Sequence, residues 1–228
     1  MTSVSFPPVT RLTPAPSAID DAAVRWFPHP PREDDRVVLL LHGLGSHEGD
    51  LLGLAPALPR DVVYASLRGV FGCGAGFAWS APPPVDPADP SLLQEAAAAV
   101  EGWIARTAPG RVIGAIGFSQ GGMLSLQLLR RDTRALDWIV QLSGRPFPAP
   151  MPGDAALAAA RPPVLWGHGG QDPLFGPAAD EEVRTFLREH TDVEEVLRPQ
   201  LGHGIDEEEL AQIIGFVQRQ LGGDGAAR

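Results

Sequence analysis

The sequence contains no lysine, because all 18 of its basic residues are arginine. A Walker A phosphate loop requires a Gly-Lys-Ser/Thr step, and a Schiff-base mechanism requires a lysine amine, so both kinds of site are excluded. The formal net charge is −10. This charge argues against a surface that binds nucleic acid or anionic membrane, since both partners select clustered cations.

Cysteine is nearly absent as well, since Cys73 is the only one in the chain. No intrachain disulfide can form, which is typical of proteins from reducing compartments. The first residues lack the basic stretch and apolar core of a signal peptide. No run approaches the ~18 apolar residues that cross a bilayer. The sequence therefore predicts a cytoplasmic protein without a membrane span.

Apolar runs of strand length alternate with helical patterns along most of the chain. Residues 37–41 form an uninterrupted apolar run bounded by turns, as expected for a strand that is buried on both faces. Such alternation predicts an α/β fold with a mostly parallel central sheet and helices on both faces. We expect residues 1–228 to form a single domain in which residues 1–18 are an irregular arm.

Helix ends carry recognisable signals at two places. Ser91 followed by Gln94 predicts a capping box at the start of one helix. Asp206 is expected to cap the last helix, where an acidic run at 206–209 suits the helix dipole and is expected to be a solvated face.

The chain is organised around a G-x-S-x-G sequence at 117–121. Glycine is common in this protein, with 26 residues, so the pattern alone could arise by chance. However, an apolar run precedes it and a helical pattern follows it, and a strand, a sharp turn and a helix together hold a serine hydroxyl above a sheet edge. Side chains at 117 and 121 would collide where strand and helix cross. Ser119 is therefore the candidate nucleophile.

A serine hydroxyl needs a base, and the base needs an orienting acid. In this strand–turn–helix setting the partners follow in the order Ser, Asp, His. Asp172 and His203 each come after a predicted strand, so parallel strands would bring both to the same sheet edge as Ser119. His190 falls within a charged helix and is interpreted as a surface residue. The alternative for Asp172 and His203 is an ordinary turn aspartate and a loop histidine.

The oxyanion hole of such a site requires two backbone N–H groups aimed at one point. One is expected from Gln120, the residue after the serine. The other is expected from Leu44, in the glycine-containing loop after residues 37–41. His42 in the same loop is interpreted as a structural hydrogen-bonding residue rather than a base.

These stretches resemble the carboxylesterase/phospholipase family of α/β-hydrolases, which includes acyl-protein thioesterases and lysophospholipases. The resemblance covers about residues 36–220. Its motifs are Leu-His-Gly-Leu-Gly at 41–45, Gly-Phe-Ser-Gln-Gly-Gly at 117–122, His-Gly-Gly-Gln-Asp-Pro-Leu at 168–174 and Gly-His-Gly at 202–204. It implies an α/β-hydrolase fold and the same roles for the residues assigned above. The sequence shows no large insertion that would form a lid domain.

Five apolar residues are candidates for an acyl pocket: Phe71, Phe77, Trp79, Leu174 and Phe175. Ordinary core packing explains each of them nearly as well. Gly76 to Trp79 resembles the family's Gly-x-x-Trp, but Ser80-Ala81 stand where members often carry Phe-Asp, so the family's substrates cannot be transferred directly.

No cofactor or metal is expected. His47-Glu48 opens like a zinc motif, but position 51 is leucine. A cysteine nucleophile at Cys73 is disfavoured because it lies in a glycine-rich loop without a predicted base.

The sequence thus predicts a serine hydrolase that cleaves small or lipid-like carboxylic esters or thioesters, with short to medium acyl chains favoured. An acyltransferase with the same triad is the first alternative. A non-catalytic binding protein of the same fold is the second. A homodimer is left open.

Overall fold

The computed structural model describes residues 6–222. Its strands are β1 Val9–Arg11, β2 Arg25–Phe27, β3 Val37–Leu41, β4 Val63–Leu67, β5 Phe71–Cys73, β6 Gly76–Ala78, β7 Val112–Phe118, β8 Trp138–Leu142, β9 Pro163–Gly169 and β10 Asp192–Arg198. Its α-helices are α1 Ser91–Thr107, α2 Gln120–Arg131, α3 Asp154–Ala160, α4 Pro177–His190 and α5 Glu207–Gly222, and a 3₁₀ helix spans Leu51–Ala57.

The central sheet has seven strands in the order β10-β9-β8-β7-β3-β4-β2. All neighbouring pairs are parallel except β2, which runs antiparallel to β4 at one edge. The predicted mostly parallel sheet is confirmed. β7 lies in the middle, so the turn that follows it is surrounded by the carboxyl ends of other strands.

Both faces of this sheet are covered. Along β3, Val37, Leu39 and Leu41 pack into one apolar cluster with residues of α1 to α4, whereas Val38 and Leu40 pack into a second cluster with residues of the 3₁₀ helix and α5. All five side chains are fully buried. Each contributes roughly 1.5–3 kcal/mol through its removal from water, which explains why a continuous apolar run occupies this position.

The prediction that residues 1–18 form an irregular arm is wrong in part, because β1 pairs antiparallel with β5. β5 in turn pairs antiparallel with β6. These strands form a second, three-stranded sheet that joins the N-terminal segment to the hairpin after β4. Arg11 also forms an ion pair with Glu95 of α1. The pairing joins residues about 60 positions apart, which local sequence patterns do not reveal. Residues 1–5 of the predicted arm lie outside the described part.

The two predicted helix caps have opposite outcomes. Asp206 Oδ1 accepts a hydrogen bond from the Glu209 N–H at 2.8 Å, so the predicted cap of α5 is confirmed. The capping box at Ser91 is wrong, because Ser91 is the first residue of α1 and makes no capping bond. The side chain of Gln94 instead accepts a bond from Arg131. No helix in residues 6–222 has the length and apolar character needed to cross a bilayer.

Glu209 corrects the expectation of a solvated acidic face. Its side chain is fully buried, and neither carboxyl oxygen has a hydrogen-bond partner. Gly167 of β9 makes room for it, since a Cβ there would lie 2.3 Å from Glu209 Oε1. Burial raises the pKa of this carboxyl to about 7, because the charged form is poorly solvated there.

We expect Glu209→Gln to stabilise the protein increasingly as the pH rises. The carboxyl has a higher pKa in the folded protein than in the unfolded chain. The free energy of unfolding of the wild type therefore falls as the pH rises from about 4.5 to 7, because over this range the carboxyl ionises in the unfolded chain but keeps its proton in the folded protein. Glutamine does not titrate and escapes this loss. The stability difference between the two proteins should grow by about 2 kcal/mol from pH 5 to pH 8, as measured by denaturant unfolding. A difference that is independent of pH would contradict the assignment.

Candidate active site

Ser119 occupies the sharp turn between β7 and α2. Its backbone has φ 53° and ψ −112°, a left-handed conformation that a non-glycine residue adopts at a cost of about 1–3 kcal/mol. The Ser119 N–H donates to the Leu142 carbonyl at the end of β8 at 2.7 Å, and its carbonyl accepts from the Met123 N–H at 3.1 Å. Bonds from a strand and a helix therefore hold the strained turn.

The two motif glycines are required by close backbone approach, as predicted. A Cβ at Gly117 would lie 2.3 Å from the Gly121 carbonyl oxygen, and a Cβ at Gly121 would lie 1.9 Å from the Leu41 carbonyl oxygen. Neither distance can be relieved by a side-chain rotation, because both neighbours are backbone atoms. The start of α2 thus lies directly against the ends of β7 and β3.

Asp172 and His203 meet at the same sheet edge. Asp172 follows β9 and His203 follows β10, and His203 Nδ1 lies 2.6 Å from Asp172 Oδ2. The other carboxyl oxygen, Oδ1, accepts from the Leu174 N–H at 2.8 Å. The Asp172 side chain is only 3% exposed. The rings of Phe118 and Phe175 pack against the imidazole at centroid distances of 4.9 and 5.8 Å. Both the orientation of the ring and the bond at Nδ1 are therefore fixed.

Ser119 and His203 line one cavity of about 180 Å³. Leu44 and Gln120, the predicted oxyanion donors, also line it. A Cβ at Gly43 would lie 3.5 Å from Ser119 Cβ, so the loop after β3 passes beside the serine. The hydrogen bond that the structure records for the His203 ring is the one to Asp172.

Of the five residues predicted for an acyl pocket, two lie at this cavity and three lie elsewhere. Leu174 and Phe175 line the cavity. Phe71 and Trp79 are fully buried in the apolar core, and neither is among the cavity-lining residues. The Phe77 ring packs against Arg68, whose Cζ lies 4.6 Å from the ring centroid, and Phe77 is likewise not among the residues that line the cavity. Phe71 and Phe77 lie in the hairpin of β5 and β6 and Trp79 directly follows it, so the prediction does not match the cavity for these three.

Sequence reasoning missed several residues that do line the cavity, namely Phe6, Ser46, Asp50, Ala81, Pro83, Val85, Met123 and Arg145. Arg145 could have been found, because it follows β8 at the same sheet edge as Asp172 and His203. Pro83 and Val85 gave no signal, since their loop has no periodic pattern.

The Gln120 side chain has a role that the sequence did not suggest. Its Oε1 accepts from the Trp79 N–H at 2.7 Å, and its Nε2 donates to the Ser80 and Ala81 carbonyls at 2.9 and 3.1 Å. Three bonds from one buried amide thus attach the loop after β6 to the residue that follows Ser119. The loop is fixed where it borders the cavity at Ala81.

His42 is a structural residue, as interpreted from the sequence. Its Nε2 accepts from the Gly69 N–H at 2.9 Å, so the proton lies on Nδ1, which donates to the Gly43 carbonyl at 2.7 Å. Burial lowers the pKa of this imidazole to about 4, so it is neutral near pH 7.

Cys73 is buried and does not line the cavity, and desolvation raises the pKa of its thiol. Among residues 6–222 there is no cluster of three or more His, Cys, Asp or Glu side chains suited to a metal ion.

The Phospholipase/Carboxylesterase family matches residues 91–221. Carboxylesterase SOBER1 of Arabidopsis thaliana is 32% identical over 112 residues, which are 48% of this chain and 49% of that protein. The chain thus matches about half the length of this curated relative.

Two solved structures share the fold over most of their length. A Bacillus cereus carboxylesterase superposes with a TM-score of 0.73 at 21% identity, covering 86% of this chain and 93% of that one. Zea mays acyl-protein thioesterase 2 superposes with a TM-score of 0.72 at 20% identity, covering 87% and 98%. The fold is that of the α/β-hydrolases. Because the matched residues 91–221 make up more than half of the 228 residues, the chain belongs to the Phospholipase/Carboxylesterase family.

Proposed function

We propose that this protein is a serine hydrolase that cleaves carboxylic esters or thioesters through an acyl-serine intermediate. The observation that carries the proposal is the hydrogen bond of 2.6 Å between His203 Nδ1 and Asp172 Oδ2. The imidazole that makes this bond lines the same cavity as Ser119, whose backbone is strained. Family membership and the fold support the same reaction class. The thioesterase named among the structural neighbours is the reason for including thioesters.

The chemistry begins at Ser119 Oγ. His203 Nε2 takes the hydroxyl proton as Oγ attacks the carbonyl carbon, and Asp172 stabilises the imidazolium through Nδ1–H. Collapse of the tetrahedral intermediate breaks the bond to the leaving alcohol or thiol, which receives the proton from His203. Water then attacks the acyl-serine with His203 again as base, which releases the carboxylic acid and restores Ser119.

The developing oxyanion requires preorganised donors. We assign the backbone N–H groups of Leu44 and Gln120 to this role, since both residues line the cavity on segments that are fixed by other bonds. The Gly45 N–H donates to the Phe77 carbonyl, and the Phe77 N–H donates to the Ser46 carbonyl, each at 2.8 Å. This short ladder holds the loop that carries Leu44, so its amide need not reorganise during the reaction.

We expect Ser119→Ala to lose about 10⁴- to 10⁶-fold in kcat toward p-nitrophenyl esters, since the remaining donors leave only residual catalysis. It should also fail to react with a fluorophosphonate probe. Ser125→Ala in the helix that follows, α2, is the matched control, because its hydroxyl donates to the Gly122 carbonyl. Thermal unfolding should show that both variants are folded. Near-normal turnover by Ser119→Ala would refute the mechanism.

His203→Ala extends this test. Groups that act as one unit have strongly non-additive effects, so the double variant of Ser119 and His203 should be about as inactive as either single variant. Losses that multiply would show that the two residues do not work together. A folded wild-type protein that neither hydrolyses esters nor reacts with the probe would instead favour the non-catalytic binding protein.

We expect Cys73→Ser to retain most of the activity. The thiol is buried, its pKa is raised, and its Sγ contacts the Pro7 carbonyl oxygen at 3.6 Å rather than a base. Steady-state kinetics with one ester are sufficient for the comparison. A loss of several orders of magnitude with an unchanged melting temperature would reopen the choice of nucleophile.

Activity should rise with acyl chain length and then fall, with the optimum at short to medium chains. Leu174, Phe175, Val85 and Met123 line the cavity with apolar groups, and each buried methylene contributes about 0.8 kcal/mol until the space is full. The test is kcat/KM for p-nitrophenyl esters from acetate to palmitate, below the critical micelle concentration of each. Activity that appears only above that concentration would contradict a cavity that is open to monomeric esters.

A further inference from the structure

Arg145 lies where the catalytic cavity meets a second depression. It lines the cavity that holds Ser119 and His203, and it also lines an adjoining groove of about 690 Å³. The backbone before it is fixed against the nucleophile turn, since a Cβ at Gly144 would lie 3.0 Å from the Ser119 carbonyl oxygen. The Ser143 N–H donates to the Gly167 carbonyl at 2.7 Å. The backbone that carries Arg145 is therefore held against the turn that contains Ser119, and its side chain reaches the cavity from there.

The guanidinium of Arg145 makes few contacts with the rest of the protein. Its recorded hydrogen bond runs from Nη2 to Glu182 Oε2 at 3.3 Å, and the Glu182 side chain is 77% exposed. The guanidinium also lies over the face of Phe175, 4.8 Å from the ring centroid, and it interacts electrostatically with the Asp180 carboxylate without a recorded hydrogen bond to it. An exposed pair of this kind contributes little to stability. Most of the five N–H donors of Arg145 are thus available to a ligand.

Arg130 of the same groove shows the contrast. Its side chain is 1% exposed, and its guanidinium forms two bonds to the Asp154 carboxylate and donates to the Phe147 and Ala149 carbonyls. These contacts account for Arg130 as the residue that fixes the loop before α3. Arg145 has no comparable structural task, although it is the arginine that reaches the catalytic cavity.

The surrounding charges favour a singly charged ligand. Asp50 lines the cavity as well, with its Oδ2 accepting from Ser46 Oγ at 2.6 Å, and Glu182 borders the groove. Asp180 is also close enough to Arg145 to interact with it electrostatically. One arginine among these carboxylates suits a monoanion better than a dianionic phosphate. The planar fork of a guanidinium matches the two oxygens of a carboxylate.

We propose that Arg145 forms a subsite for a carboxylate carried by the substrate. The preferred substrates are then esters or thioesters with a free carboxylate, as in the half-esters of dicarboxylic acids or the esters of hydroxy acids. This inference rests on the proposed hydrolase function and names the substrate class of the same site. The carboxylate lies in the acyl part of a half-ester and in the leaving group of a hydroxy-acid ester.

The test compares each charged ester with its neutral methyl ester. For the acyl side, kcat/KM is measured with p-nitrophenyl hydrogen glutarate and with its neutral methyl ester, through p-nitrophenolate release. For the leaving-group side, 4-acetoxybenzoate is compared with its methyl ester, through acetate release. Each pair is run with wild type, Arg145→Gln, Arg145→Lys and Glu182→Gln, and the melting temperature of each variant is recorded.

Wild type should prefer the charged ester in one of the two arms, and that arm identifies where the carboxylate lies. Arg145→Gln should reduce kcat/KM for this ester about 10- to 100-fold, as expected for a lost charged hydrogen bond, and should change the neutral ester by less than about threefold. Arg145→Lys should retain part of the preference. Glu182→Gln should keep or increase it, because the competing carboxylate is removed.

Three results would overturn the subsite: no preference by wild type in either arm, an unchanged preference in Arg145→Gln, or an equal loss for both esters in that variant. The last would mean that Arg145 only supports the structure. Hydrolysis of the neutral esters by wild type, abolished by Ser119→Ala, tests the underlying function separately. The hydrolase proposal can therefore stand while the subsite fails.

Discussion

The close approach of α2 to the ends of β7 and β3 is the constraint on which the rest of the site depends. It is possible because residues 117 and 121 have no side chain, and backbone atoms occupy the space where a Cβ would lie. This approach forces Ser119 into a left-handed conformation at the very edge of the sheet. The strain persists because β8 and α2 both bond to the serine backbone. Helix packing, rather than any contact of the hydroxyl, therefore determines where Ser119 lies.

The walls of the cavity are held by the same packing. Gln120 begins α2, and its side chain fixes the loop after β6 through three hydrogen bonds. The Trp79 indole N–H donates to the His42 carbonyl at 3.0 Å, which connects that loop to the one after β3. A shift of α2 would thus move the serine, the loop that carries Leu44 and the border of the cavity together. Preorganisation of this kind lowers the cost of stabilising charge in a transition state.

The sequence predicted what depends on local pattern and chain order. The position of Asp172 and His203 at one edge follows from strands that alternate with helices, and their contact of 2.6 Å agrees with that placement. The fate of Phe71 and Trp79 depends instead on a hairpin that pairs with residues 9–11, and no local pattern encodes such a distant partner. Glu209 likewise resembled a solvated residue, because its burial depends on space provided by Gly167. Long-range packing decided each of these cases.

Because the backbone around Ser119 is rigid, backbone groups and side chains have different roles in this cavity. Hydrogen bonds of the strands and loops fix the backbone of the serine and of the proposed oxyanion donors. These fixed backbone groups can vary little, so they offer little means of selecting a substrate. Side chains on the loops after β8 and β9, including Arg145 and Phe175, line the same cavity without being part of that framework. Arg130 and Arg145 are the same residue type in one groove, yet Arg130 pairs with the partly buried carboxylate of Asp154 and Arg145 with the exposed carboxylate of Glu182. Selectivity is therefore expected to depend on which loop side chains remain free to bind, and composition alone does not determine this.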